Sequence, residues 1–430
     1  MNLESFLRGI LGLAVLALIL YLCSSNKKKI PWKLVGLGFL LQVIFAVGIL
    51  HVPLVAAIFD KISTFFVVVL EFTRQGSMFV FGNLMDTKTT GFIFAFQILP
   101  TIIFFSALTS LFFYLGILQK IVYGLSWVMG KFMKISGAEN LSTTANIFLG
   151  QTEAPLLIKP YLPFMTRSEI LCVMIGGMAN TAGGVLAAYV GFLGGNDPVQ
   201  QLFFAKHLLA ASVMSAPATI IVAKMLMPQT EEIDERLELT EEKIGTNMIE
   251  AIAVGTEEGL KLAFNVAAML IVFIAMIAMV NYMLNDFIGN ITGLNGMIAA
   301  WTDGQYTGLT LQFLLGYACA PFVWLLGVAK SDMVYIGQLL GEKTILNEFV
   351  AYMSLGKMKE QGVLQDPKSV VIATYILSGF ANFSSIGIQV GGIGALAPNK
   401  RGVLSELGMK ALLGGTICSL LTATIVAMLT

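Results

Sequence analysis

The sequence predicts an all-α integral membrane protein, with about eight transmembrane helices, two re-entrant helical hairpins in an inverted repeat, and amphipathic interfacial helices. Three observations predict it. Of 430 residues, 57% are hydrophobic and 12% charged, against about 25% charged in ordinary soluble domains, and lipid is the solvent that accepts such a surface. Eight stretches are apolar over about the 20 residues that a span requires: 5–24, 33–52, 91–117, 169–193, 201–227, 258–284, 369–391 and 404–429. Two more, 138–165 and 310–356, are apolar but interrupted by polar residues and glycines.

Taken in order, the first span has Arg8 ahead of it, offset by Glu4, and Lys27, Lys28, Lys29 and Lys33 behind it. The positive-inside rule puts that loop in the cytoplasm and the N-terminus outside, which marks an uncleaved span rather than a secretory leader. In 54–74, Asp60, Thr64, Glu71 and Arg74 share one stripe, as expected of a helix in the interface or packed on other helices. The stretch 118–135, with Lys120, Trp127, Lys131 and Lys134, is a second amphipathic helix. Residues 228–247 form a polar loop. Counting spans places it inside, along with Lys400 and Arg401, and the C-terminus outside.

The half-length pieces cannot cross a bilayer alone, and irregular backbone at membrane depth survives only where protein or a water-filled cavity covers it. The expected breaks in 310–356 fall around Lys330-Ser331-Asp332 and near Gly341 to Lys343. The organisation is therefore scaffold and interfacial helices in 1–135, a first transport repeat in 136–227, a cytoplasmic loop and scaffold span in 228–305, and a second transport repeat in 306–430.

Zero net charge and no basic run with interleaved aromatics argue against nucleic acid. Cys23, Cys172, Cys319 and Cys418 lie in apolar runs without CxxC spacing, so neither a disulfide framework nor a zinc site is indicated. With only His51 and His207, no HExxH, no Asp-rich pair and no nucleophile–His arrangement, the chain does not read as an enzyme.

The two interrupted segments match each other. The first ends Gly150-Gln151-Thr152-Glu153-Ala154-Pro155, and Ala179-Asn180-Thr181-Ala182-Gly183-Gly184-Val185 follows; the second ends Leu346-Asn347-Glu348-Phe349-Val350-Ala351, and Phe380-Ala381-Asn382-Phe383-Ser384-Ser385 follows. Span counting enters the first hairpin from inside and the second from outside, so the repeat is inverted and its broken helix ends meet near the midplane. A carboxylate there costs roughly 2.5–3.5 kcal/mol on insertion scales, so Glu153 and Glu348 mark a site. Gln151, Thr152, Asn382 and Ser385 add donors and acceptors, and Phe380 a ring. A polar, uncharged solute with several hydroxyls and a planar amide-like ring satisfies them. The alternative is that the two acids cap helices or pair with Lys159 and Lys343. Asn146 and Asn180, with carbonyls freed by unwound backbone at Leu149 and Thr181, suit a small hard cation, or else hydrogen bond between helices.

Four stretches carry a resemblance: Gly150 to Glu153; His207-Leu208-Leu209-Ala210-Ala211-Ser212-Val213-Met214-Ser215-Ala216-Pro217; Leu346 to Tyr352; and Gly379 to Gly387. Over essentially its whole length the chain resembles the concentrative nucleoside transporter family, in its eight-span bacterial form. The resemblance implies a homotrimer in the cytoplasmic (inner) membrane, with a scaffold and a mobile part that moves like an elevator. It implies nucleoside uptake coupled to sodium. Gln151, Thr152 and Glu153 would face the nucleobase with Val185 beside it, Glu348, Asn382 and Ser385 would hold the ribose, and Phe380 would line the pocket. Asn146, Leu149, Asn180 and Thr181 match the sodium site, although the position of Asn180 is often Ser in sodium-coupled relatives, which leaves a proton as the alternative coupling ion. A carrier of another polar solute on the same architecture is the remaining reading.

Overall fold

The computed structural model describes residues 3–91, 93–195, 197–234 and 245–430, and the regular structure of the described residues is all helical, with no strand among them. Part of the polar loop expected at 228–247 therefore lies outside them. Among the described residues, eight helical stretches are long and apolar enough to cross a membrane. The first helices are α1 (Leu3–Leu22), α2 (Trp32–His51), α3 (Pro53–Phe81), α4 (Leu99–Tyr114) and α5 (Ile117–Met133).

The first repeat then runs through α6 (Gly137–Ala145), a 3-10 turn over Ala154–Ile158, α7 (Arg167–Ala179), α8 (Gly183–Gly194) and α9 (Pro198–Leu226). After α10 (Met248–Asn281) and α11 (Leu311–Leu325), the second runs through α12 (Met333–Ile345), α13 (Glu348–Glu360), α14 (Pro367–Leu377), α15 (Phe383–Leu396) and α16 (Arg401–Leu429). Each repeat is thus a short helical pair, a helix broken in its middle and one long helix. The long ones, α9 and α16, both have 29 residues and pack together.

Burial separates shell from core. The span in α9 is 94% buried, while that in α10 is 17% buried and turns Phe264 and Ile271 outward. An apolar face of that kind is stable against lipid or another apolar surface, not water. Along α10, Gly255 and Gly259 bring its backbone close to α4. A Cβ on Gly259 would lie 2.8 Å from the Ile103 Cα, the close approach that small residues permit between membrane helices.

Three details differ from expectation. The spans anticipated at 169–193 and 369–391 are not continuous, because the helix stops at Ala179 and resumes at Gly183, and stops at Leu377 and resumes at Phe383. Polar side chains there bond to backbone in place of the helix ladder: Asn382 Oδ1 accepts from the Ser385 amide at 2.9 Å and caps α15. The second hairpin breaks at Leu346-Asn347, not near Gly341 to Lys343. Gly341 instead seats α12 on Leu315 of α11, and Asn347 caps α13 by accepting from the Val350 amide at 3.0 Å. Finally, 54–74 belongs to a 29-residue helix that is itself apolar and long enough to cross. Its packing on α9 is real, with Asp60 2.8 Å from Lys206.

The two helix breaks abut. The Gly379 amide donates to Thr181 Oγ1 at 3.0 Å. Gly379 has φ +88, and a Cβ there would lie 2.5 Å from the Ala179 carbonyl oxygen, so only glycine fits this crossing.

Candidate functional site

Around the abutting breaks lies a cavity of about 590 Å³, within the roughly 300–1,000 Å³ typical of small-molecule sites. Gln151, Thr152, Glu153, Val185, Glu348, Phe380, Asn382 and Ser385 all line it, so the fold gathers the eight side chains singled out from sequence around one space. They come from the tips of both short-helix pairs and from the starts of α8 and α15.

Their hydrogen bonds differ in completeness. Glu348 opens α13, and its Oε2 accepts from Asn382 Nδ2 at 2.7 Å. Asn382 Oδ1 in turn accepts from the Ser384 hydroxyl at 2.7 Å. Gln151 Nε2 donates across the repeats to Ser385 Oγ at 3.3 Å. By contrast, Glu153 Oε2 and Gln151 Oε1 are buried with no partner. Buried polar atoms are nearly always paired, so an oxygen on each of these side chains stands ready for a ligand. Glu348 does not draw on Lys343 for a bond: that ammonium donates to the Ile376 and Ser378 carbonyls and the Ser419 hydroxyl.

A short distance into the first repeat, Asn146, Leu149, Asn180 and Thr181 are all buried. The Gly183 amide donates to the Phe148 carbonyl at 3.2 Å and ties the 146–149 turn to the break at 180–182. Gly176 leaves room for the Asn146 side chain, and a Cβ there would come within 3.1 Å of Nδ2. Asn146 Nδ2 donates to the Ser142 carbonyl, while Asn146 Oδ1 has no partner. Asn180 Oδ1 accepts from the Ser215 hydroxyl at 2.5 Å. An unpaired buried amide oxygen among neutral oxygen donors fits a small hard cation.

The wall contributed by α10 was missed from sequence. Glu258, Lys261, Asn265 and Met269 line the cavity, and their spacing of three and four residues is one helical face. That polar stripe within an apolar span is the signal that finds it. Asn347 and Ser384 also line the cavity, and Ser215 reaches the Asn180 oxygen.

Comparison with known proteins agrees with this architecture. Residues 207–427 match the family described as Na+ dependent nucleoside transporter C-terminus, 11–84 its N-terminus, and 95–196 a nucleoside recognition Gate family. The chain is 38% identical to the nucleoside permease NupC of Helicobacter pylori, over 98% of this chain and 97% of that protein. It is 37% identical to sodium/nucleoside cotransporter 1 of Rattus norvegicus, over 97% of this chain and 63% of that longer protein. The solved structure of CNTnw in an inward-facing, substrate-bound state superposes with a TM-score of 0.87 at 35% identity, covering 99% of this chain and 97% of that one. A double variant of CNTnw in an outward-facing state gives 0.89 at 35% identity, covering 99% of each chain.

Proposed function

The chain belongs to the concentrative nucleoside transporter family, and from that premise we propose that it drives nucleosides into the cell by symport with sodium. It is a multi-pass membrane transporter and not an enzyme. The observation that carries the proposal is the single cavity fed by both repeats, with one carboxylate from each.

In this reading the pocket divides by chemistry. Glu348 is already oriented by Asn382, and with Ser385 it offers a charged acceptor and a hydroxyl to the vicinal hydroxyls of ribose. Gln151, Thr152 and Glu153 present the unpaired oxygens and a second hydroxyl to the hydrogen-bonding edge of the base, beside Val185 and Phe380. Sodium enters as a transported partner held by Asn146, Leu149, Asn180 and Thr181. The Gly183–Phe148 bond joins that turn and break, so filling the site stiffens the neighbouring Gly150–Glu153 tip and raises nucleoside affinity, which is the reciprocal coupling that symport needs.

In this reading the repeats form the mobile part and move like an elevator against a scaffold that includes α4 and α10; the relative CNTnw, solved in inward- and outward-facing states, supports alternating access. The homotrimer, the inner membrane and both termini outside complete the proposal. A second reading, proton coupling, is favoured by the unpaired Glu153 Oε2, a buried carboxylate oxygen able to take a proton. Ion replacement in proteoliposomes separates them. Uridine accumulation that rises with external sodium at fixed pH supports sodium. Indifference to sodium together with dependence on a proton gradient transfers the coupling to protons. Competition by adenosine, uracil and amino acids tests the nucleoside itself.

A further inference from the structure

Each repeat aims two helix C-termini at one point. In the first, α6 ends at Ala145 and α7 at Ala179, with Asn146 and Asn180 immediately after them. In the second, α12 ends at Ile345 and α14 at Leu377. A helix C-terminus carries about half a negative charge, so two of them converging inside a membrane protein call for a cation. The first repeat has no basic side chain in the last turn of either helix. The second has Lys343 in the last turn of α12.

Lys343 is fully buried. Its nitrogen donates to the Ile376 carbonyl at 2.9 Å, the Ser378 carbonyl at 2.8 Å and Ser419 Oγ at 3.0 Å. Three donors meet three neutral oxygens, two of them backbone carbonyls at the break between α14 and α15. The long helix supplies the serine in both repeats, at nearly the same depth. Ser215 of α9 bonds to the Asn180 oxygen at the first break, and Ser419 of α16 donates to the Ser378 carbonyl at the second.

We propose that Lys343 is the resident cation of the second repeat, standing where the first repeat takes its travelling cation, so that one coupling cation moves with each nucleoside. This rests on the reading that a cation sits among Asn146, Leu149, Asn180 and Thr181. With its tether in α12, the ammonium holds the second break and the Glu348 tip in shape throughout the cycle, while the first repeat is completed only when an ion arrives.

The test uses the full-length carrier in proteoliposomes with uridine as substrate. Lys343→Ala removes three carbons and an ammonium, the atoms of propylammonium. Its uridine uptake is expected to fall roughly tenfold, the scale of orphaned buried acceptors, and to recover severalfold with propylammonium but not with neutral 1-propanol. Recovery with 1-propanol equal to that with propylammonium, or no recovery with either in a folded variant, overturns the proposal. Should the variant not fold, the reversal potential of the unmodified carrier decides. One charge per uridine supports a resident second cation, and two charges refute it. A carrier driven by protons and blind to sodium would retire the sodium reading and with it the match between the two breaks, whereas failure of propylammonium rescue in a sodium-driven carrier would overturn the Lys343 proposal alone.

Discussion

Glu348 and Glu153 share a cavity but not a condition. Glu348 has Asn382 on one oxygen at 2.7 Å, whereas Glu153 keeps one buried oxygen without a partner. The first is therefore pre-oriented, and in the proposed complex the second takes its missing bond from the nucleoside. Glu348→Gln removes the charge and keeps the shape, so uridine uptake is expected to drop about 10- to 100-fold, the scale of a charge-assisted hydrogen bond, in a protein that still inserts and folds. Wild-type uptake by that variant would remove Glu348 from the site. In the proposed cation site Ser215 is a positioning residue that works through Asn180, whose oxygen accepts from its hydroxyl at 2.5 Å. Ser215→Ala is expected to raise the half-saturating sodium concentration severalfold, consistent with one neutral hydrogen bond of about 0.5–1.5 kcal/mol, with little change in maximal uridine flux at saturating sodium. An unchanged sodium curve would contradict that role.

At the scale of elements, the two breaks hold the design together, and their contact is intolerant of a side chain. Gly379→Ala places a methyl group against the Ala179 carbonyl and forces an L-residue to φ +88. It is expected to cost at least about 1–2 kcal/mol of stability, read as a lowered melting temperature in detergent together with lost uptake. A stable, active variant would mean that the breaks do not bear on each other. The core of the first repeat is pinned by a different device: Lys224 of α9 bonds to Glu139 of α6 and, at 3.0 Å, to the Ser168 hydroxyl of α7, with the ion pair almost wholly buried. Removing one partner, as in Lys224→Met, is expected to cost about 3–5 kcal/mol, while replacing both with apolar residues costs far less. Thermal melts of the single and double variants test this.

Much of this layout was legible because breaks in membrane helices need polar residues and small ones, and Gln151 to Pro155, Asn180 to Gly184, Asn347-Glu348 and Asn382 to Ser385 stand out against apolar surroundings. The turn at Leu346-Asn347 was misplaced because Gly341 looks like a breaker, whereas its use is to seat α12 on Leu315. The α10 wall was hidden for a related reason: Glu258, Lys261 and Asn265 are diluted in a long apolar helix, and only the fold says which of its faces meets the cavity.

For the whole molecule, the packing between helices bears on which of them would travel together in the proposed cycle. Gln42 of α2 donates to Thr422 of α16 at 3.0 Å in a buried contact, and α1 packs along α16 as well. These contacts seat α1 and α2 against the second repeat, although both fall within the 1–135 stretch expected to be scaffold. Across the cavity, α10 packs on α4, the pair against which the repeats move in the proposed mechanism. In the proposed mechanism one nucleoside touches both repeats at once. The direct measurement is thiol protection in a cysteine-free background, with Thr152→Cys and Ser384→Cys made separately, since both positions line the cavity and come from opposite repeats. Uridine should slow labelling at both sites with the same half-maximal concentration, whereas protection at one site alone, or at neither, would contradict a shared pocket.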